Sequence, residues 1–402
     1  MFRSVRRTIV TMAGAALLAG CALAGPPVPD YHGDPAVRGS VVKVEPVGAY
    51  AAIQLRALLW LAKLQVPIAR GIHLYRVSYW SATDGKPVLV SGLMSLPDAG
   101  DLRGTVIWMH GTTDDRRTSI STPSLQEGVS ASAVFAGGGY LLLAPDLVGL
   151  GVSKGPQAYL YNPSTADVTR DFLRAAQTVS HDLGRTWNPN LYITGFSQGG
   201  QATAVLQRAF EQTPDPAARV RAAAGIAGAY NLADISLPFA LKGGSQQDSV
   251  YLTLVGLSYA VHYHQPLDTL LTPAYAQLAQ RLFDGDHADA IEKQMPANPR
   301  SLFTPAFLAD FDGGRAHWFI AAARDNQAYA WAPKAPFHAY FGDKDVDVSP
   351  QDAKAFVAEA NRRGGNAEAI SVGPYDHGGS VLHAAPLIRV WFDQLSGGLN
   401  PS

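Results

Sequence analysis

Short apolar runs recur along the chain at Thr105–Met109, Tyr140–Ala144, Leu191–Thr194 and Ala222–Ala227. Two more follow much later, at Phe337–Phe341 and Ala369–Val372. Each ends near a Gly, a Pro or a polar loop, and runs apolar on both faces suit the buried strands of a parallel sheet. Ahead of them, His73–Ser81 and Lys86–Leu96 flank Asp84-Gly85 and read as a hairpin. Helical spacing appears at Tyr50–Val66, Ser164–Leu183, Gln201–Phe210 and Pro386–Leu395. Ser164 with Asp167 three residues on makes a start like a capping box. Tyr50–Val66 reads as a helix packed on the main domain, with a membrane-facing helix as the alternative. Strand and helix therefore alternate, which predicts a mostly parallel, doubly wound α/β sheet with its site at the strands' carboxyl ends. Between residues 230 and 336 the alternation stops. That stretch has aromatics, prolines and helical pieces but no clear strand, and it reads as an inserted, mainly helical cap.

Composition narrows the partners. The 402 residues are 47% hydrophobic and 16% charged, which describes a globular chain with a large core. Lys plus Arg number 32 against 33 Asp plus Glu, a formal net charge of -1. Without a basic excess, nucleic acid is not an expected partner. At the N-terminus Arg3, Arg6 and Arg7 precede the apolar stretch Ile9–Leu18, the pattern of a signal peptide. A membrane span needs roughly 20 apolar residues, more than this stretch supplies. It ends in Leu18-Ala19-Gly20-Cys21, which resembles the bacterial lipobox and makes Cys21, the single cysteine, the candidate lipidation site. The alternative is an ordinary signal peptide cut within Cys21–Ala24.

The candidate chemistry centres on Gly195-Phe196-Ser197-Gln198-Gly199, placed after one predicted strand and before a predicted helix. Strand, sharp turn and helix are the context of a nucleophile elbow, which would project the Ser197 hydroxyl above the sheet. A serine hydroxyl needs a base to activate it and donors for the oxyanion. The strand Thr105–Met109 runs into His110-Gly111-Thr112-Thr113, so the expected donors are the backbone N–H groups of Thr112 and Gln198. His110 is expected to hold this loop. Of the 11 histidines, His377 follows the strand Ala369–Val372 in Tyr375-Asp376-His377-Gly378-Gly379 and is the preferred base over His383. Gly342-Asp343-Lys344-Asp345-Val346-Asp347 follows Phe337–Phe341 and offers the orienting acid. Its spacing favours Asp345, leaving Asp343 and Asp347 as solvated loop charges.

These pieces together resemble the α/β-hydrolases, and more narrowly the secretory lipases and esterases of bacteria and fungi. The resemblance rests on H-G-T-T with Arg116-Arg117 behind it, on Ala144-Pro145-Asp146 to Gly149-Leu150-Gly151, and on G-F-S-Q-G-G, G-D-K-D and D-H-G-G. It spans residues 105–395. It implies hydrolysis of a small-molecule or lipid ester through an acyl-enzyme, no cofactor and no metal, and a cap over the acyl pocket. The expected organisation is signal peptide 1–20, tether 21–46, α/β-hydrolase domain 47–229 and 337–402, and cap 230–336. The expected location is the bacterial envelope, anchored to its membrane through Cys21, or otherwise secreted. A serine peptidase or acyltransferase on the same scaffold, and a non-catalytic lipoprotein, are the competing readings. His262 and His264 lack a third ligand, and Asp284, Asp286, His287 and Asp289 lack the ordered spacing of an EF-hand.

Overall fold

The computed structural model describes residue 26, residues 28–122 and residues 126–397. Cys21 and the whole expected signal peptide lie outside the described residues. The strands are β1 (Val41–Tyr50), β2 (Ile72–Thr83), β3 (Lys86–Pro97), β4 (Thr105–Met109) and β5 (Leu141–Pro145), then β6 (Asn190–Phe196), β7 (Arg219–Ile226), β8 (Phe337–Phe341) and β9 (Ala367–Ser371). In chain order the helices begin with α1 (Ala52–Leu61), α2 (Gln126–Phe135), α3 (Asn162–Asp182) and α4 (Gln198–Gln212). Between β7 and β8 come α5 (Leu237–Lys242), α6 (Asp248–His262), α7 (Pro273–Leu282), α8 (Ala288–Gln294), α9 (Pro305–Asp312) and α10 (Trp318–Asp325). The chain closes with α11 (Pro350–Arg362) and α12 (His377–Leu395).

All nine strands form one sheet in the order β1-β2-β3-β5-β4-β6-β7-β8-β9. From β5 to β9 the neighbours run parallel, whereas β1, β2 and β3 form an antiparallel meander whose last strand pairs antiparallel with β5. The β2–β3 hairpin turns at Asp84-Gly85, both with positive φ, as a tight two-residue turn between twisted strands requires. Alternate side chains of the central strands feed two cores. Ile107 and Ile193 pack with Phe172 of α3, Val205 of α4 and Phe356 of α11 on one face. Val106 and Tyr192 pack with Leu59 of α1, Phe135 of α2 and Phe392 of α12 on the other. Helices thus cover both faces, the doubly wound arrangement that near-continuous apolar strands predict. The helices between β7 and β8 add a third core, with Leu254, Tyr259, Phe307 and Phe319 buried among their own neighbours.

Several boundaries depart from the sequence reading. The expected tether 21–46 ends early, because Val41–Pro46 already pair with β2 as the first strand of the sheet. The expected helix Tyr50–Val66 is confined to α1, since Tyr50 still belongs to β1. α3 starts before Ser164, with Pro163 in its first turn and no side-chain cap, so Ser164 is a buried helix residue. α12 starts well before Pro386, which lies inside it. A proline placed as a helix start by sequence logic is here tolerated mid-helix, and the true start is capped by Asp376, whose carboxylate accepts from Gly379 N–H at 2.8 Å.

Candidate active site

The carboxyl ends of β4, β6, β8 and β9 deliver the candidate residues to one place. Ser197 sits between β6 and α4 with φ 58 and ψ -116, a conformation costing a non-glycine residue roughly 1–3 kcal/mol. The surroundings enforce it. Ser197 N–H donates to the Ile226 carbonyl at 2.8 Å, and Gly200 N–H closes the turn onto the Ser197 carbonyl at 2.8 Å. A Cβ on Gly199 would lie 1.9 Å from the Met109 carbonyl oxygen, and one on Gly195 would lie 2.5 Å from the Gly199 carbonyl oxygen. Backbone passes too close for any side chain at either position, which gives both glycines of the elbow a steric cause.

The residue that follows, Gln198, opens α4, so its N–H has no partner within the helix. Across from the elbow, the loop after β4 is clamped by a residue that sequence reasoning missed. Glu127, in the first turn of α2, accepts from Gly111 N–H at 3.1 Å and from the Trp108 indole at 2.9 Å through one carboxylate oxygen. His110 is buried and its Nδ1 lies 2.7 Å from the Gly111 carbonyl, a structural contact within the same loop. Thr112 follows, its hydroxyl 2.8 Å from that of Tyr159. Arg116 reaches on from this loop to the Ser153 carbonyl at 2.9 Å and to the Asp286 carboxylate at 2.7 Å. The loop is thereby tied to the helical insertion.

His377 and Asp345 meet as a buried pair, with imidazole Nδ1 2.7 Å from Asp345 Oδ2. The other Asp345 oxygen accepts from the amides of Asp347 at 2.9 Å and Val348 at 3.0 Å, which fixes the carboxylate's direction. The loops carrying the two residues are stitched by backbone bonds from Asp343 N–H to the Gly373 carbonyl and from Lys344 N–H to the Tyr375 carbonyl, at 2.9 and 3.0 Å. His377 is the first residue of α12 rather than a loop residue, and its ring packs on Phe196, the neighbour of Ser197, at 4.6 Å between centroids. Its Nε2 is buried with no hydrogen-bond partner among the described residues. Geometry therefore joins His377 to Asp345 directly, and to Ser197 through the Phe196 contact rather than through a formed hydrogen bond. Burial alone would lower the proton affinity of His377, but the hydrogen bond to Asp345 and the charges of Asp345, Asp347 and Asp376 outweigh it and raise its pKa. His383 stacks on Tyr375 at 3.6 Å instead, further along α12.

Of the two remaining carboxylates in the loop after β8, Asp343 is exposed and accepts from the Ser371 hydroxyl at 2.9 Å. Asp347 is not the solvated charge expected of it. It is half-buried, accepts a hydrogen bond from Ser245 of the insertion, and lines the same cavity as Ser197. That cavity is mainly apolar, walled by Leu160 from the loop before α3 and by Leu237, Phe239, Tyr251, Val255 and Tyr259 from α5 and α6. The segment between β7 and β8 thus roofs Ser197. His262 and Asp284, weak candidates for metal ligands, are spoken for: His262 Nδ1 lies 2.7 Å from Asp84, and Asp284 lies 2.9 Å from His287. Among the described residues no helix is long and apolar enough to cross a membrane.

No protein-family model and no curated protein matches the sequence. Solved structures do resemble it. A Legionella pneumophila protein assigned as a hydrolase superimposes with a TM-score of 0.82 at 23% identity, covering 90% of this chain and 100% of its own. The rice cell wall degrading esterase LipA from Xanthomonas oryzae gives 0.79 at 22% identity over 89% of this chain and 98% of its own. Candida antarctica lipase A in its closed state gives 0.64 at 15% identity, covering 91% and 84%. With its mostly parallel nine-stranded sheet, helices on both faces and a helical insertion after β7, the chain has the α/β-hydrolase fold.

Proposed function

We propose that this chain is a carboxylic-ester hydrolase working through Ser197, His377 and Asp345. The observation that carries the reading is the strained Ser197 turn opening into an apolar cavity, with the buried His377–Asp345 pair packed against Phe196. In this reading His377 Nε2 takes the Ser197 proton as Oγ attacks the ester carbonyl. Asp345 holds the Nδ1–H and stabilises the imidazolium. The N–H groups of Gln198 and Thr112 receive the oxyanion. His377 then protonates the departing alcohol, and water returns along the same path to release the acid. The likeness to an esterase and a lipase favours ester over amide substrates.

Ser197→Ala is expected to abolish fluorophosphonate labelling and to lower kcat on p-nitrophenyl esters by about 10⁴-fold or more with the fold intact. Wild type should cleave those esters and leave a matched peptide amide untouched. Surviving label in the variant, or faster amide cleavage in the wild type, would refute the assignment.

We propose separately that the protein is an exported envelope lipoprotein anchored at Cys21. Its support is the L-A-G-C string after a basic and apolar leader. One acyl chain binds membranes only marginally, so a stable anchor needs more than one on Cys21. Mass spectrometry of the mature N-terminus should find an acylated Cys21, and an unmodified terminus at another residue would make the protein a plain secreted enzyme.

A further inference from the structure

Asp345, Asp347 and His377 form a triangle in which one polar side-chain atom from each lies within 4.8 Å of the other two. Asp345 is fully engaged, one oxygen on the imidazole and the other on the amides of Asp347 and Val348. The backbone of Asp347 therefore holds the orienting acid while its side chain stands beside the base as a separate charge. What fixes that side chain belongs to the insertion. Ser245, in the turn between α5 and α6, donates its hydroxyl to Asp347 Oδ1. The turn is held in place by Asp248 at the start of α6, whose Oδ2 accepts from Gly244 N–H and Ser245 N–H, each at 3.0 Å.

We infer that Asp347 is a positioning residue for the proposed reaction, a second carboxylate set against His377 and oriented by the cap through Ser245. The inference rests on the Ser197–His377–Asp345 reading and adds to it a link from cap to base. Its physics is direct. A second negative charge beside the ring stabilises the imidazolium that forms as Ser197 loses its proton. It also makes the resting imidazole hold a proton to higher pH, in the direction of the raised His377 pKa. The acidic groups facing His377 are Asp345 and Asp347 from the loop after β8 and Asp376 at the start of α12. From the cap, Asp248 and Tyr251 face Asp347, and burial foremost pushes the Asp248 carboxyl up to about 6. The Ser245 hydroxyl partly neutralises the Asp347 charge as long as the cap turn is seated. The cap thus tunes the base as well as roofing the cavity.

The test is the pH dependence of kcat/KM on a p-nitrophenyl ester, whose acid limb reports the free base. Asp347→Asn should move that limb down by roughly half to one pH unit, the size expected of one partly screened charge about 5 Å away. The plateau should fall only severalfold, unlike the collapse expected of Asp345→Asn. Ser245→Ala should move the limb the opposite way, upward, because the carboxylate loses its donor. In the double variant the Ser245 effect should vanish, since no charge is left to modulate. Asp248→Asn, measured alongside, removes the raised carboxyl that faces Asp347 from the cap. Local damage would depress the plateau without shifting the limb. An Asp347→Asn profile whose limb overlays wild type overturns the inference while leaving the triad standing, provided Ser197→Ala is inactive. Activity retained in Ser197→Ala would instead sink the triad and the inference together.

Discussion

At the scale of single residues, two histidines and three aspartates compete for two roles, and their surroundings separate them. His377 is buried and hydrogen-bonded to Asp345, whereas His383 stacks against Tyr375 on the same helix. Asp345 has both oxygens committed, and Asp343 points to Ser371 at the surface. An imidazole without its orienting carboxylate samples the wrong tautomer and loses support for its charged form, a loss of several orders of magnitude in comparable triads. His377→Ala and Asp345→Asn should each lower kcat by about 10³-fold or more, while His383→Ala and Asp343→Asn should stay within about tenfold of wild type. Steady-state kinetics on one activated ester decides it. A deep loss in His383→Ala with His377→Ala active would reverse the assignment of the base. Asp347 stands apart from both groups, since its effect is read in the pH profile rather than in the plateau.

At the scale of elements, the sequence was legible where one local rule decides. The central strands are apolar on both faces because helices cover both faces, so β4 and β8 coincide with their apolar runs and β5, β6 and β7 shift by only a few residues at either end. The elbow was legible because the glycines at 195 and 199 answer to steric contacts with Met109 and with each other. Other features depend on partners distant in sequence. β1 carries polar residues and a proline and is a strand because β2 offers it a free edge, so its first residues read as tether. Glu127 bonds to Gly111 and Trp108, and nothing in its own neighbourhood marks it as a clamp on the loop after β4. Asp347 reads as a surface charge because Ser245 approaches from an insertion whose own sequence carries no recognisable motif. The start of α12 is hidden by Pro386, a stronger local signal than the Asp376 cap that in fact begins the helix.

At the scale of the whole molecule, the cap and the sheet share a titrating anchor. Asp352, fully buried near the start of α11, accepts from Tyr230 N–H at 3.1 Å, from Asn231 N–H at 2.8 Å and from the Ser236 hydroxyl. These three donors lie where the chain leaves β7 for the insertion, so Asp352 fastens the cap's root to the main domain. Burial outweighs the donors and pushes its carboxyl up from the ordinary 3.8 to about 6. Between those values the folded protein holds a proton that the unfolded chain has released, so stability declines as pH rises through the window. Two pKa units correspond to at most about 3 kcal/mol. Asp248, raised to about 6 by its burial, acts with the same sign. His377, also raised, contributes stability below the unfolded imidazole value that is lost as pH climbs through its folded one. Asp352→Asn keeps an oxygen for the two amides and cannot ionise, so it should flatten the decline between about pH 4 and about pH 6 while the other groups titrate unchanged. Urea unfolding across that range at fixed ionic strength measures the slope in each protein. If the two curves run parallel, Asp352 titrates at its ordinary value and the cap's root is held by a charge rather than by a proton-bearing carboxyl.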